Sequence, residues 1–522
     1  MAKRTPEKPK RTAAAGRPPA KGPRPARTPG TVSTSSTLST DALHILMVTP
    51  EARPFAKTGG LADVCGALPR ALARLGHTVT LVMPRYRGIT VAERGQPVSI
   101  PLGRQQYTVR FVEQQVSDGV RAMFVDAPDL YDRDGLYGDA QGDYRDNAFR
   151  FAVLCRAALE YVRRLDRPVS AIHAHDWQAG LVPVYARTVL AADPVVSRLP
   201  VILTIHNLAF QGLFDAPELP WIGLDASLFR PDLLEYWGRV SALKGGIVFS
   251  RTITTVSPTY AREILTPEYG FGFDGILASR RADLVGILNG IDTDAWNPAR
   301  DPYLPAHFGA DALDGKRLVK RALLEMAGLP ATDAAMERPT IGLVSRLTDQ
   351  KGFDLIAEAM PELMALETSW VMLGSGDRRY EDFWTSLSHR LPDRVAARIG
   401  FDERFAHLIE GGADLFLMPS RYEPCGLNQM YSLRYGTIPI VFATGGLEDT
   451  VEDADVSPRR GTGFKFDQFT TDGLVDGVER ALTAFQKPAR WRQIQRRAMA
   501  CDFSWDVSAR EYVKVYREAA AR

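Results

Sequence analysis

Along most of this chain, short apolar runs closed by polar or glycine-bearing turns alternate with longer segments whose apolar residues recur every third or fourth position. The run HILMV (His44–Val48) has so little polar character that it predicts a strand with no solvent-facing side. After it, Leu61, Val64, Leu68, Leu72 and Leu75 fall on one helical face, which predicts a helix over Leu61–Leu75. TVTLVMP (Thr78–Pro84) predicts the next strand and completes a strand-helix-strand unit.

The alternation continues. Strands are predicted at Ala122–Pro128, Ala171–Trp177, Pro200–Asn207, Thr252–Ser257 and Leu284–Asp292, with a long helical pattern at Asn147–Leu165 among them. The stretch Thr293–Gly315 carries prolines, aspartates and glycines without clear periodicity, which marks a junction. A second series follows at Pro339–Leu347, Ser369–Asp377, Val395–Asp402, Ala413–Ser420 and Thr437–Leu447. Strands alternating with helices imply parallel sheets covered on both faces, so the expected fold class is α/β with two doubly wound domains. A length of 522 residues, more than one core usually serves, agrees.

Charge and composition change this picture mainly at the N-terminus. Residues 1–30 hold nine Lys/Arg against one acid, Glu7, so the rest of the chain is mildly acidic although the formal net charge is +2. That balance gives no reason to expect a nucleic-acid partner. Residues 1–40, rich in Pro, Ala, Lys and Arg and then in Ser and Thr, predict a disordered tail. Its prolines oppose the amphipathic helix of a transit peptide; a polyanion-binding arm is the other reading. No apolar run reaches the roughly 18 residues of a membrane span. Four widely spaced cysteines, Cys65, Cys155, Cys425 and Cys501, with no C-x-x-C pair, predict a reduced, cytoplasmic protein without structural zinc.

Ligands of open α/β sheets sit at the carboxyl ends of strands. Polar residues gather at those ends here: KTGGL, HAHDW, TIHN and NGID in the first half, SRLTDQKG, GSGD, PSRYEPCGLNQ and ATGGLED in the second. In KTGGL, Gly59 and Gly60 let the backbone come close to a ligand and precede a helix whose free N–H groups attract an anion. Lys57 precedes the glycines, so this is no Walker A loop, and an ordinary glycine turn with an exposed lysine is the alternative. Arg346 and Lys351 suit a diphosphate, as planar fork and point charge, or belong to a solvated loop. Glu423 can grip sugar hydroxyls or cap a helix. Cys425 has no histidine in its motif to ionise it and reads as a small buried thiol. Asp176, His206 and Asn289 each end a predicted strand, where a structural polar group also fits. His173 and His175 lack a third ligand, and GSGD lacks the third glycine of a nicotinamide fingerprint, so no metal and no dinucleotide cofactor is expected.

Taken in order, KTGGLADV, HAHDW, IHN, NGID, SRLTDQKG and PSRYEPCGLNQ followed by TGGLEDTV closely resemble the bacterial glycogen synthase and plant starch synthase family, from about His44 to the C-terminus. The resemblance implies two Rossmann-like domains facing a deep cleft, the GT-B arrangement: 41–300 on the acceptor side, a linker region 301–334, a donor domain 335–495, and a C-terminal helix, 496–522, packing back on the first domain. It implies transfer of α-glucose from ADP-glucose to the 4-hydroxyl at the non-reducing end of an α-1,4-glucan such as glycogen, with retention of configuration and no metal. By the same resemblance Glu423, Asp176, His206, Lys351 and Arg346 are catalytic. Lys57, Gly59, Gly60, Asp63, Asn289, Phe401, Tyr422, Cys425, Gly426, Leu427, Asn428 and Thr444 are expected to contact substrate. Asn428 stands where relatives often carry Thr, and Phe401 keeps a ring without a phenol at an expected base-stacking position.

When the anomeric C–O bond breaks, negative charge grows on the departing phosphate and positive charge on the sugar ring. With no cluster of metal-binding aspartates at a strand end, the glycine-loop N–H groups, Arg346 and Lys351 have to stabilise the first. The motifs offer no carboxylate pair arranged as in a retaining glycosidase, which predicts attack on the face of departure. A related transferase using UDP-glucose, an inactive glucan-binding paralogue and, on the doubly wound halves alone, a nicotinamide dehydrogenase are the other readings.

Overall fold

The strand predicted at His44–Val48 forms over those same residues as β1, and all five side chains are buried. β2 (Thr78–Pro84) pairs with it in parallel, and α1 (Gly60–Arg74) crosses over between them. The protein is described by a computed structural model over residues 42–92 and 95–522, so the expected disorder of residues 1–40 lies outside the described residues.

The first sheet is completed by β3 (Gln96–Leu102), β4 (Gln105–Ser117), β5 (Val120–Asp126), β6 (Ala171–His175), β7 (Val201–Ile205), β8 (Thr252–Thr255) and β9 (Leu284–Gly286), in the order β9-β8-β7-β6-β1-β2-β5-β4-β3. From β9 to β5 every pair is parallel; β4 and β3 extend the edge as an antiparallel ribbon. That ribbon is absent from the sequence expectation. In β3, Val98, Ile100 and Leu102 point inward while Pro97 and Ser99 face solvent, the period of two of a half-exposed edge. The long pattern at Asn147–Leu165 is realised as α2 (Asn147–Val162), buried along most of its length.

The second sheet consists of β10 (Thr340–Val344), β11 (Ser369–Gly374), β12 (Val395–Ile399), β13 (Leu415–Met418), β14 (Ile438–Phe442) and β15 (Phe464–Phe466), all parallel, in the order β12-β11-β10-β13-β14-β15. Each sheet has its own apolar core. Two doubly wound lobes therefore form, as the strand-helix alternation requires.

The junction differs from expectation in composition. Residues expected as linker, 301–334, include α3 (Asp314–Ala327), whose Val319, Leu323 and Leu324 pack with Phe405, Ile409 and Phe416 of the second lobe. At the crossover Trp296 is stacked between His407 and Tyr431, with ring centroids 3.8 Å away on each side. The chain then returns. α4 (Trp505–Ala521) lies against α1, and its Trp505, Ala509, Tyr512 and Tyr516 join the first lobe's core. The Tyr516 hydroxyl meets His173 Nδ1 at 2.8 Å, beneath the site described next.

The lobes touch through polar contacts behind their facing strand ends. Thr259 donates from its N–H and its hydroxyl to the Asp449 carboxylate, both at 2.7 Å, and Ser257 Oγ donates to the Pro424 carbonyl at 2.6 Å. Among the described residues no helix is long and apolar enough to cross a membrane.

Candidate active site

The carboxyl ends of β1, β6 and β7 on one lobe and of β10 and β13 on the other open onto one cavity of about 660 Å³. Lys57, Gly59, Gly60, Asp63, Asp176, His206 and Asn289 line it from the first lobe; Arg346, Lys351, Glu423, Cys425, Gly426, Leu427 and Asn428 line it from the second. Fourteen expected residues, scattered over some 370 positions of sequence, are thus brought together by two sheets presenting the same edge to each other.

The glycine loop is held by a residue the sequence reading missed. Glu51, buried just beyond β1, accepts the Thr58 N–H at 2.5 Å, the Thr58 hydroxyl at 2.6 Å, the Gly59 N–H at 3.3 Å and the Tyr137 hydroxyl at 2.5 Å. The expectation that these loop amides face an anion is therefore corrected: two of them are already satisfied. The open end of α1, which begins at Gly60 with no side-chain cap, is what remains for an anion. At Gly59 the backbone is extended and an added Cβ would meet no protein atom within 4 Å, so protein packing does not call for glycine there; the space it leaves is cavity. Lys57 Nζ lies 2.8 Å and 2.9 Å from the two Asp63 oxygens, and Arg53, also missed, joins Asp63 at 3.2 Å.

Across the cleft, Lys351 Nζ donates to Glu423 Oε2 at 2.5 Å, and Ser420 Oγ donates to the same oxygen at 3.0 Å. Arg346 is exposed, in no ion pair among the described residues, and its guanidinium reaches Gln350 Oε1 at 3.3 Å. Asn428 spends its amide N–H on the Val344 carbonyl at 2.6 Å. Burial pushes the Cys425 thiol up to about 12, which keeps it protonated and inert, the reading its sequence context favours.

On the sugar side, Asp176 directly follows β6, with φ of +55°, and is 8% exposed. Burial raises its carboxyl from 3.8 to about 7, against the pull of the His206 N–H, which donates to Oδ1 at 2.7 Å, and of the Asn207 N–H. His206 Nε2 sits 3.0 Å from His175 Nδ1, and burial lowers His206 to about 3, so the imidazole is neutral. Asn289 Oδ1 and Gln178 Oε1 both belong to buried residues on the cavity wall and have no hydrogen-bond partner among the described residues. Gln178 is a further wall residue absent from the sequence expectation; its place directly after HAHDW was the available signal.

Three expected contacts stand outside the cavity. Phe401 is 84% exposed. Tyr422 packs edge-on against Phe271 of the first lobe, centroids 5.5 Å apart. The Thr444 hydroxyl donates to Glu263 Oε1 at 3.0 Å, a bridge between lobes, and the glycines after it buttress the site from behind. Gly445 has φ of +45°, a Cβ there would fall 1.9 Å from the Glu423 carbonyl, and the Gly446 N–H donates to that same carbonyl at 3.0 Å. TGGLED therefore fixes the backbone of Glu423.

Two lobes built on largely parallel sheets that share a cleft at their strand ends, with Arg346, Lys351 and Glu423 on one wall and buried Asp176 and Asn289 on the other, define a two-lobed glycosyltransferase. Residues 44–279 match the family model for the starch synthase catalytic domain, and residues 330–498 match that for glycosyl transferases group 1. The chain is 49% identical over 491 residues to the glycogen synthase of Anaeromyxobacter dehalogenans, covering 92% of this chain and 99% of that one. It is 47% identical over 480 residues to the glycogen synthase of Koribacter versatilis, covering 91% and 98%. The solved catalytic domain of starch synthase IV from Arabidopsis thaliana, bound to ADP and acarbose, superposes with a TM-score of 0.84 at 35% identity, over 92% of this chain and all of that one. The chain belongs to the glycogen synthase and starch synthase family, and glycosyl transfer in glycogen or starch synthesis is its function.

Proposed function

We propose that the protein transfers α-glucose from ADP-glucose to the non-reducing-end 4-hydroxyl of an α-1,4-glucan, with retention and without a metal ion. The observation that carries this reading is the single cavity shared by Arg346, Lys351, the open end of α1 and the Asp176–His206 pair. The diphosphate lies toward Arg346 and Lys351, whose charges meet the negative charge that grows as the anomeric C–O bond breaks; one such preorganised donor contributes about 3–4 kcal/mol to transition-state stabilisation. Glu423 holds Lys351 through Oε2 and keeps Oε1 for a sugar hydroxyl. Asp176, in its ionised form, faces the positive ring, and neutral His206 adds no opposing charge. The acceptor 4-hydroxyl attacks C1 on the face that the phosphate leaves, and its proton passes to the departing phosphate oxygen, so one C–O bond forms as one breaks. The Arabidopsis enzyme's bound ADP and acarbose support a nucleotide and a glucan side in such a cleft.

Incubation of purified protein with radiolabelled ADP-glucose and glycogen, followed by α-1,4-specific digestion, tests the reading. Label released as glucose and maltose supports it; faster incorporation from UDP-glucose, or a covalent glucosyl adduct on Asp176 or Glu423, overturns it.

A further inference from the structure

Beyond the cleft, a second cavity of about 600 Å³ adjoins the first, with Asp143, Trp177 and Phe210 lining both. Its far wall includes Leu213 and Arg239 of a small sheet in which Leu213–Phe214 pairs with Arg239–Ser241, and that strand pairs in turn with Glu235–Tyr236. The turn of this hairpin is Trp237-Gly238, with φ of +50° and +80°. Two positive φ values in a two-residue turn call for Asn, Asp or Gly at the first position, and a bulky side chain there is strained. Trp237 nevertheless occupies it and is 81% exposed, so neither backbone geometry nor core packing accounts for it. Its neighbour is tied down: the Tyr236 hydroxyl donates to the Phe271 carbonyl at 2.5 Å and accepts from Gln211 Nε2 at 3.2 Å. An indole next to an anchored tyrosine is thus offered to solvent within about 7 Å of chain from Arg239 on the cavity wall.

We propose that Trp237 is a remote stacking platform for the acceptor, binding inner glucose units of a long α-1,4-glucan whose non-reducing end lies in the cleft. The inference rests on the proposed acceptor. Partly buried Trp177 and Phe210, 54% exposed, carry the same apolar track from the site toward the hairpin, and Asp215, Glu218 and Arg239 supply hydroxyl partners along it. An indole presents a broad apolar face to the C–H surface of a sugar at little conformational cost.

The test uses Trp237→Asn, which gives the turn its preferred residue, and Trp237→Phe, which keeps a ring. Trp237→Asn is expected to raise the KM for glycogen about 3- to 10-fold with kcat within about twofold, to leave the KM for maltotriose within about twofold, and not to lower the thermal midpoint. Trp237→Phe retains most of the glycogen affinity. An unchanged glycogen KM in Trp237→Asn, or an equal rise for glycogen and maltotriose, overturns the proposal. Retardation of the protein in glycogen-containing native gels reads the contact without turnover. Wild-type protein that is retarded yet transfers no glucose sinks the proposed reaction, while the hairpin contact is still decided by whether Trp237→Asn abolishes the retardation.

Discussion

Replacing Asp176 with Asn changes one buried proton site and little else: Asn has the same shape, tolerates the positive φ of this position and still accepts the His206 N–H through its amide oxygen. Burial raises this carboxyl from 3.8 to about 7 in the folded protein. The folded state therefore holds a proton that the unfolded state releases between those values, and the stability this contributes is full below 3.8 and lost as pH rises through 7. Integrated from about pH 5 to about pH 8, the loss is roughly 2–3 kcal/mol, and Asn does not incur it. Lys316 titrates in the opposite sense: it is buried with Nζ on the Gly411 carbonyl at 2.9 Å and the Thr437 hydroxyl at 2.6 Å, and burial lowers it to about 7. The quantity to measure is accordingly variant minus wild type at each pH, from equilibrium urea unfolding followed by tryptophan fluorescence.

Asp176→Asn is expected to gain about 2–3 kcal/mol on wild type between about pH 5 and pH 8 while losing at least ~10²-fold in turnover, because an amide cannot meet the ring's positive charge. Wild-type kcat/KM should rise with pH through about 7 as Asp176 ionises, and that limb should vanish in the variant. A stability difference that stays flat with pH would refute the buried-proton argument. Near-normal turnover would remove Asp176 from the charge-stabilising role.

Lys351→Ala should cut turnover at least ~10²-fold, with Glu423 left without its cation; steady-state rates with saturating donor and glycogen check this. Gly59→Ala, with nothing within 4 Å of the new Cβ and extended backbone, should unfold within about 1 kcal/mol of wild type yet raise the donor KM, since the methyl group enters the cavity; unchanged donor KM places the nucleotide sugar elsewhere. Dialysis against a chelator should leave the rate of transfer unchanged, and a loss restored by a divalent ion would replace the cationic side chains as the main charge carriers.

Much of this architecture was readable because its strands are buried on both sides. β1 and β2 coincide with the apolar runs at His44–Val48 and Thr78–Pro84, and β6, β7 and β8 form within their runs and each end two residues before the run does. The β3–β4 ribbon escaped because an edge with one wet face alternates and lacks a run, and β15 because it is three residues long. Residues 301–334 read as linker because the apolar side of α3 is interrupted by two lysines, both of them buried: Lys316 lies on backbone and hydroxyl oxygens, and Lys320 is paired with Asp414. Within the cleft, motif residues told which side chains gather but not what each one touches. Glu51 claims amides assigned to the ligand, and Thr444 turns toward Glu263, because hydrogen bonds between segments far apart in sequence leave no local signature.

The last helix has a consequence for how the protein comes into being. α4 supplies Tyr512 and Tyr516 to the core of a lobe whose final strand, β9, ends at Gly286, roughly 230 residues earlier in synthesis. At about 5–20 residues per second, a ribosome leaves that lobe unfinished for some tens of seconds while the other is made and can fold. Elongation that stalls anywhere in the second half therefore releases a first half with its floor missing under His173, and premature stop codons, even very late ones, disarm the half that was translated first.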